Sequence, residues 1–171
     1  MSSLYLALDN FKYHIGLITP TDTTSVQAGF EPFDIAKATP QNSSGWARKY
    51  WLTWTPDKPI DEVESLDERH SHQIFTLSVV YPLVAFSSPN DRQAVMMRDR
   101  GDLLSRLRHD DQNVGISSAF PTQDIGLWDR RFMSDSVARY EAQRFADNDL
   151  VAAPLLIYRQ IWRTHFFESE V

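Results

Sequence analysis

Between Gln73 and Asp111 the chain changes its hydrophobic period once, and that change constrains most of what it can build. Phe75, Leu77, Val79 and Tyr81 alternate with Ile74, Thr76, Ser78 and Val80. A period of two is that of a strand packed on one face. Pro82 removes a ladder donor, and Ser87–Ser88–Pro89–Asn90 breaks the chain. From about residue 90 to 109 the period lengthens. Met96, Leu103 and Leu107 share one side of a helix, with Arg98, Arg106 and Arg108 elsewhere. The strand Phe75–Tyr81 is expected to face this helix through Met96, Leu103 and Leu107. A strand, a loop and an amphipathic helix make a scaffold unit, and no catalytic motif sits on it.

Other elements arrange themselves around this unit. Residues 3–17 place Leu4, Leu8, Phe11 and Ile15 at helical spacing, with Ser2 or Ser3 as cap and Gly16 and Pro20 as terminators. Residues 19–45 are rich in Pro, Gly, Ser and Asn and read as loop, with a short strand around Phe30–Ile35. Lys49 to Thr55 alternates as a strand, Tyr50, Leu52 and Trp54 against Trp51, Thr53 and Thr55. Asp61 to Glu68 holds five acids in eight residues and reads as an exposed loop. Val114–Phe120 is expected to be a strand. Ile125–Phe132 reads as irregular strand or loop, and 136–145 as strand. Ala146–Asp147–Asn148–Asp149 is turn chemistry. The last strand, Leu155–Phe167, sets Leu156, Tyr158, Trp162 and Phe166 on one parity and Ile157, Arg159, Ile161 and Arg163 on the other. The order predicts one α+β domain over residues 1–171: a mostly antiparallel sheet with one main helix packed on it and a short N-terminal helix.

At 171 residues the chain can bury roughly 70% of its unfolded surface without staples. It has no cysteine, which excludes disulfides, thiolate metal sites and a cysteine nucleophile. A formal charge of −6 argues against sequence-independent nucleic-acid binding, which needs a basic surface. The five arginines of 92–108 are interleaved with Asp99 and Asp102 and read as a mixed, solvated helix face. No apolar run approaches 18 residues, and the N-terminus lacks a signal-peptide pattern, so neither a membrane span nor secretion is expected.

Chemistry-bearing patterns are sparse. With six glycines and no Gly-x-Ser-x-Gly, Walker-type or Gly-x-Gly-x-x-Gly run, neither a nucleophile elbow nor a phosphate cradle is expected. His70 and His72 would share one face of a strand, as a metal pair does, with His109 or His165 as further ligands. Polar residues at a strand entrance are the simpler account. Asp99, Asp102, Asp110 and Asp111 read as solvated rather than as an acid pair. Met96–Met97 reads as core, and Gly101 as a close approach of helix to sheet. No catalytic residue, cofactor or metal ligand is assigned.

Three segments carry a resemblance. The strand QIFTLSVVYPL, the helix NDRQAVMMRDRGDLLSRL and the closing LLIYRQIWRTHF follow an N-terminal helix and a first strand. In this order they resemble the tail terminator (tail-tube completion) proteins of tailed bacteriophages, over about residues 48–167 plus the first helix. The resemblance implies a non-catalytic virion protein, assembled in the host cytoplasm as a homo-oligomeric, hexameric ring. Such a ring caps the tail tube and meets the head-tail connector or other neck proteins, and in some tails the sheath. Genome DNA passes through it without specific binding. No cofactor and no membrane are implied.

Contacts between subunits are expected from the 56–70 loop, including Asp67, Glu68 and Arg69. They are also expected from 125–132, with Trp128, Arg130 and Arg131 as anchors, because Trp and Arg dominate interface energetics. Two other readings stand beside this one: a small acidic protein-binding module, and a His-dependent metal enzyme using His70 and His72.

Overall fold

The computed structural model describes residues 3–23, 26, 28–34, 36, 40–56, 68–108, 127–140, 143–146, 149–151 and 154–169. The elements run α1 (Ser3–Gly16), β1 (Glu31–Pro32), β2 (Lys49–Pro56), β3 (Glu68–Pro82), α2 (Pro89–Leu107), β4 (Leu127–Tyr140), β5 (Gln143–Ala146), β6 (Asp149–Val151) and β7 (Leu155–Ser169). Short 3-10 turns occupy Pro40–Trp46 and Leu83–Ala85. The expected Val114–Phe120 strand, the acidic stretch up to Asp67, and His109, Asp110 and Asp111 lie outside the described residues.

One sheet has the order β1-β2-β3-β7-β4, and β5 and β6 form a separate hairpin. β2–β3, β3–β7 and β7–β4 are antiparallel, and only the two-residue β1 pairs parallel, against Lys49 and Tyr50. The fold is therefore α+β, a mostly antiparallel sheet under one main helix and a short N-terminal one. β3 and β7 are the central strands and pair along their full length, Glu68 with Ser169 through Pro82 with Leu155. β4 starts at Leu127, so the irregular segment and the strand expected at 136 are one continuous element with a register shift between Phe132 and Ser134. Ala146 and Asp149, the described ends of the expected turn, pair in the small β5–β6 hairpin rather than in the long β4–β7 pair.

The period change is realised as expected. Phe75, Leu77, Val79 and Tyr81 on β3 join Tyr158 and Trp162 on β7 and Val95, Met96, Leu103, Leu104 and Leu107 on α2 in one buried core. Burying each such side chain contributes about 1.5–3 kcal/mol. α1 adds Ala7, Phe11 and Ile15. Phe11 stacks at 5.1 Å on Phe75 and meets the edge of Trp162 at 6.3 Å. α2 starts where the sequence says it should. Ser88 caps it by accepting from the Asp91 N–H at 3.0 Å, Pro89 fits the first turn, and Asp91 lies near the positive end of the dipole. On the opposite face Trp46, Val80 and Leu155 form a small second core with Phe33, Trp51 and Tyr140 packed on it.

Two expectations about α2 fail. Met97 is 55% exposed, because the helix turns Met96 rather than its neighbour inward. Gly101 is exposed, and a Cβ built there meets nothing within 4 Å, so no close approach to the sheet requires glycine.

Candidate functional site: clamped helix and open sheet edges

The charges of α2 form a solvated face only in part: Arg98 and Arg108 are exposed, but Arg92 and Asp99 are buried. Asp99 falls in the same helical stripe as Met96 and Leu103, and its side chain is fully buried. Across from it Arg48, also fully buried, precedes β2 with φ 61, in the left-handed region. Its guanidinium donates Nε to Asp99 Oδ2 at 2.8 Å and Nη2 to Asp99 Oδ1 at 2.9 Å. Nη1 donates to the carbonyls of Val26 and Ala28, and Nη2 also to the carbonyl of Asp22. All five guanidinium donors are thus engaged. The Tyr81 hydroxyl donates to Asp99 Oδ2 at 2.8 Å. Burial pushes the Asp99 carboxyl up against the pull of Arg48 and Tyr81, and burial and Asp99 hold Tyr81 well above its ordinary value.

Neighbouring residues of α2 extend the clamp. Arg98 pairs with the buried Asp22 carboxylate. Thr21 donates its N–H and hydroxyl to Asp102 at 2.8 and 2.7 Å. Thr21 and Asp22 are thereby fastened to one turn of α2. Arg92, also buried, points to the carbonyls of Tyr81 and Pro154 and ties the start of α2 to the ends of β3 and β7.

A second polar chain crosses the core. Trp162 Nε1 donates to Gln160 Oε1 at 3.1 Å, Gln160 Nε2 to Tyr158 Oη at 2.8 Å, and Tyr158 Oη to Asp135 Oδ2 at 2.8 Å. Arg100 closes the chain on Asp135 from α2. Burial, against the opposing hydrogen bond from Gln160, pushes the Tyr158 hydroxyl well above its ordinary value. Burial also pushes Asp135 up, but the hydrogen bonds from Arg100 and Tyr158 and the Arg100 charge outweigh it and leave the carboxyl below its ordinary value. Tyr81–Asp99 and Tyr158–Asp135 each place a phenol on a carboxylate, the raw material of acid–base chemistry. In both, the phenol is at most 2% exposed and already committed to an internal acceptor. These networks hold helices to the sheet.

The structure separates the two arginines nominated as anchors. Arg130 turns to the helical face, where its guanidinium lies 4.7 Å from the centre of the Phe11 ring. Burial, with the Arg106 charge second, lowers its pKa to about 10, so it stays cationic at neutral pH. Arg106 Nη2 sits 3.1 Å from His14 Nδ1, and Arg108 lies over Phe132 at 4.7 Å. Arg131 points to the other face and is exposed. Glu68 and Arg69 open β3 opposite Ser169 and Glu168. The side chains of Glu68, Arg69, Trp128, His70, His72 and His165, and Asp67 altogether, lie outside the described ones. Among the described residues no group of three or more His, Asp or Glu is placed to hold a metal, and no helix is long and apolar enough to cross a membrane.

Among the described residues, large apolar side chains are exposed at Tyr13, Leu17, Val84 and Met97 and at the two sheet edges. Trp54 on β2 is 45% exposed, and Met133 and Val137 on β4 are each 49% exposed. Sequence reading missed Asp99, Arg48 and Gln160. A charged or amide residue standing in an apolar stripe was the available signal for Asp99 and Gln160, whereas nothing local marked Arg48. Compared with known proteins, the chain matches no family model and no curated protein.

Proposed function

We propose that this chain is a structural subunit of a tailed-phage neck, a tail-terminator-like protein that works as a homo-oligomeric ring on the tail tube. The reading begins with the resemblance of the strand, helix and closing strand. One observation carries it further: the three resembling segments form a single unit, with α2 laid across β3 and β7 and clamped there by Arg48–Asp99 and Arg100–Asp135. The inward-facing charge of α2 is spent on rigidity, as suits a subunit whose task is to hold shape under load. The net charge of −6 also suits a conduit to which DNA should not adhere.

Native mass spectrometry and negative-stain imaging test the reading. The expected result is a closed ring of about six 19.7 kDa chains. The ring should seat at one tip of tubes grown from the tail-tube protein of the same genome and stop their growth. A chain that stays monomeric, leaves tube growth unchanged and binds a single unrelated protein tightly would replace this reading with the acidic binding module.

A further inference from the structure

The two outer strands of the sheet are unequal to their edges in the same way. β4 pairs with β7 on one side and with no described strand on the other. β2 is covered on its outer side only at Lys49 and Tyr50, by the two residues of β1, so Leu52–Pro56 also presents backbone that no described strand pairs. Edges of this length that no described strand pairs are templates for another strand.

The direction of the strands decides what fits. Three antiparallel steps separate β2 from β4, so the two edges run in opposite directions. A second copy placed beside the first in the same orientation sets its β2 against β4 and continues the antiparallel alternation without a break. The levels match as well. Following the registers across the sheet, Thr53 is level with Thr76, Ile161 and Ser134. By the same path Tyr50 is level with Val137, and Thr55 with Arg131. The exposed apolar residues of the two edges, Trp54 on one and Met133 and Val137 on the other, therefore occupy the same stretch of the sheet. Charge agrees: Arg131 is level with the end of β2, beyond which the sequence turns acidic, with Asp57, Asp61, Glu62 and Glu64. Two copies of β4 side by side would instead oppose two net-positive strands and leave both β2 edges open.

The geometry points to a head-to-tail contact in which β4 of one copy pairs antiparallel with β2 of the next, making one sheet continuous through the assembly. This inference rests on the ring reading and deepens it. A heterologous contact of this kind repeats until it closes into a ring, or runs on as a filament if it does not.

The chain has no cysteine, so introduced thiols report cleanly. Thr53 and Ser134 are both exposed. Thr53→Cys and Ser134→Cys chains, mixed and treated with a bismaleimide that tolerates a two-residue slip of about 7 Å, should cross-link. The double variant should give a ladder ending at the ring. Each single variant alone should give little product. Adding Trp54→Lys and Met133→Lys to the double variant should abolish the ladder, since these exposed positions lie at nearly the same level of the two edges and like charges across a strand pair repel.

A strong product from Ser134→Cys alone would mean β4 meets β4 and would overturn the inference. A ring by mass that shows no Thr53–Ser134 product would overturn the edge pairing and leave the ring standing. A ladder that belongs to an open filament would support the pairing and sink the ring. A monomer without cross-links at every concentration would overturn both.

Discussion

Arg48 and Asp99 lie 51 positions apart, yet they meet through two hydrogen bonds of 2.8 and 2.9 Å with neither side chain exposed. The pair joins the residue that launches β2 to the middle of α2. Because Arg48 also holds three backbone carbonyls, removing it strands a carboxylate and a loop at once. Arg48→Ala should cost about 3–5 kcal/mol, the range for breaking a buried pair by deleting one partner. Urea unfolding of the two proteins measures it. A loss below about 1 kcal/mol would mean water replaces the guanidinium without penalty, and the clamp would not be structural.

The core register makes a contrast within one helix. Leu103 is fully buried against the sheet, and Met97 is 55% exposed. Leu103→Ala should cost about 2–5 kcal/mol, and Met97→Ala should stay within about 0.5 kcal/mol. Leu77→Ala on the facing strand should match the Leu103 value. Equal costs at 97 and 103 would place the helix in a different rotation.

Gly101 gives a test in the stabilising direction. It sits inside α2 in ordinary helical backbone with open space where a Cβ would go. Gly101→Ala should raise stability by about 0.4–1 kcal/mol, through helix propensity and a less free unfolded chain. A thermal melt that moves down instead would show that something packs closely on this glycine.

Asp135 predicts a pH dependence. Its carboxyl lies below the ordinary value in the folded chain, so the unfolded chain takes up its proton first as pH falls. The stability it contributes is complete above the unfolded value of about 3.9 and is lost as pH drops through the folded value. Wild type should therefore exceed Asp135→Asn in stability at neutral pH, with the gap closing only in acid. Denaturation at pH 7 and at pH 3 checks this, and a gap that widens in acid would reverse the sign.

Much of this fold is legible in the sequence because it is periodic. Strands β2, β3 and β7 and both helices were marked by alternation or by a helical stripe, and α2 also by its Ser88–Pro89 start. The failures share a cause. Charge on a helix is usually solvated, which is what the sequence suggests for Asp99, yet its place between Met96 and Leu103 puts it inside. Its partner, Arg48, comes from a distant loop, and no local pattern encodes a pairing across 51 positions. Adjacency to Met96 suggests a core place for Met97, but neighbours on a helix point about 100° apart. Adjacency bears differently on Arg130 and Arg131, the candidate anchors, whose role as contacts is a separate matter from where they point. In a strand, adjacent residues face opposite ways, so one stacks on Phe11 and the other meets solvent.

The central pair of strands, β3 and β7, has a consequence for how the molecule comes into being. Phe75 sits beside Trp162, so the middle of the sheet waits for the end of the chain. During synthesis β2 and β3 emerge before β7, and the β3 edge that β7 occupies in the finished sheet stays unfilled until β7 leaves the ribosome. Closing so long a loop is entropically slow, and contacts distant in sequence delay folding. Removing β7 would therefore take out the keystone of the sheet rather than trim its rim, and a nascent chain shorter than β7 is a candidate for chaperone capture. Among the described strands β4 too pairs with β7 alone, so the rim on that side has nothing to lie against until the chain is whole.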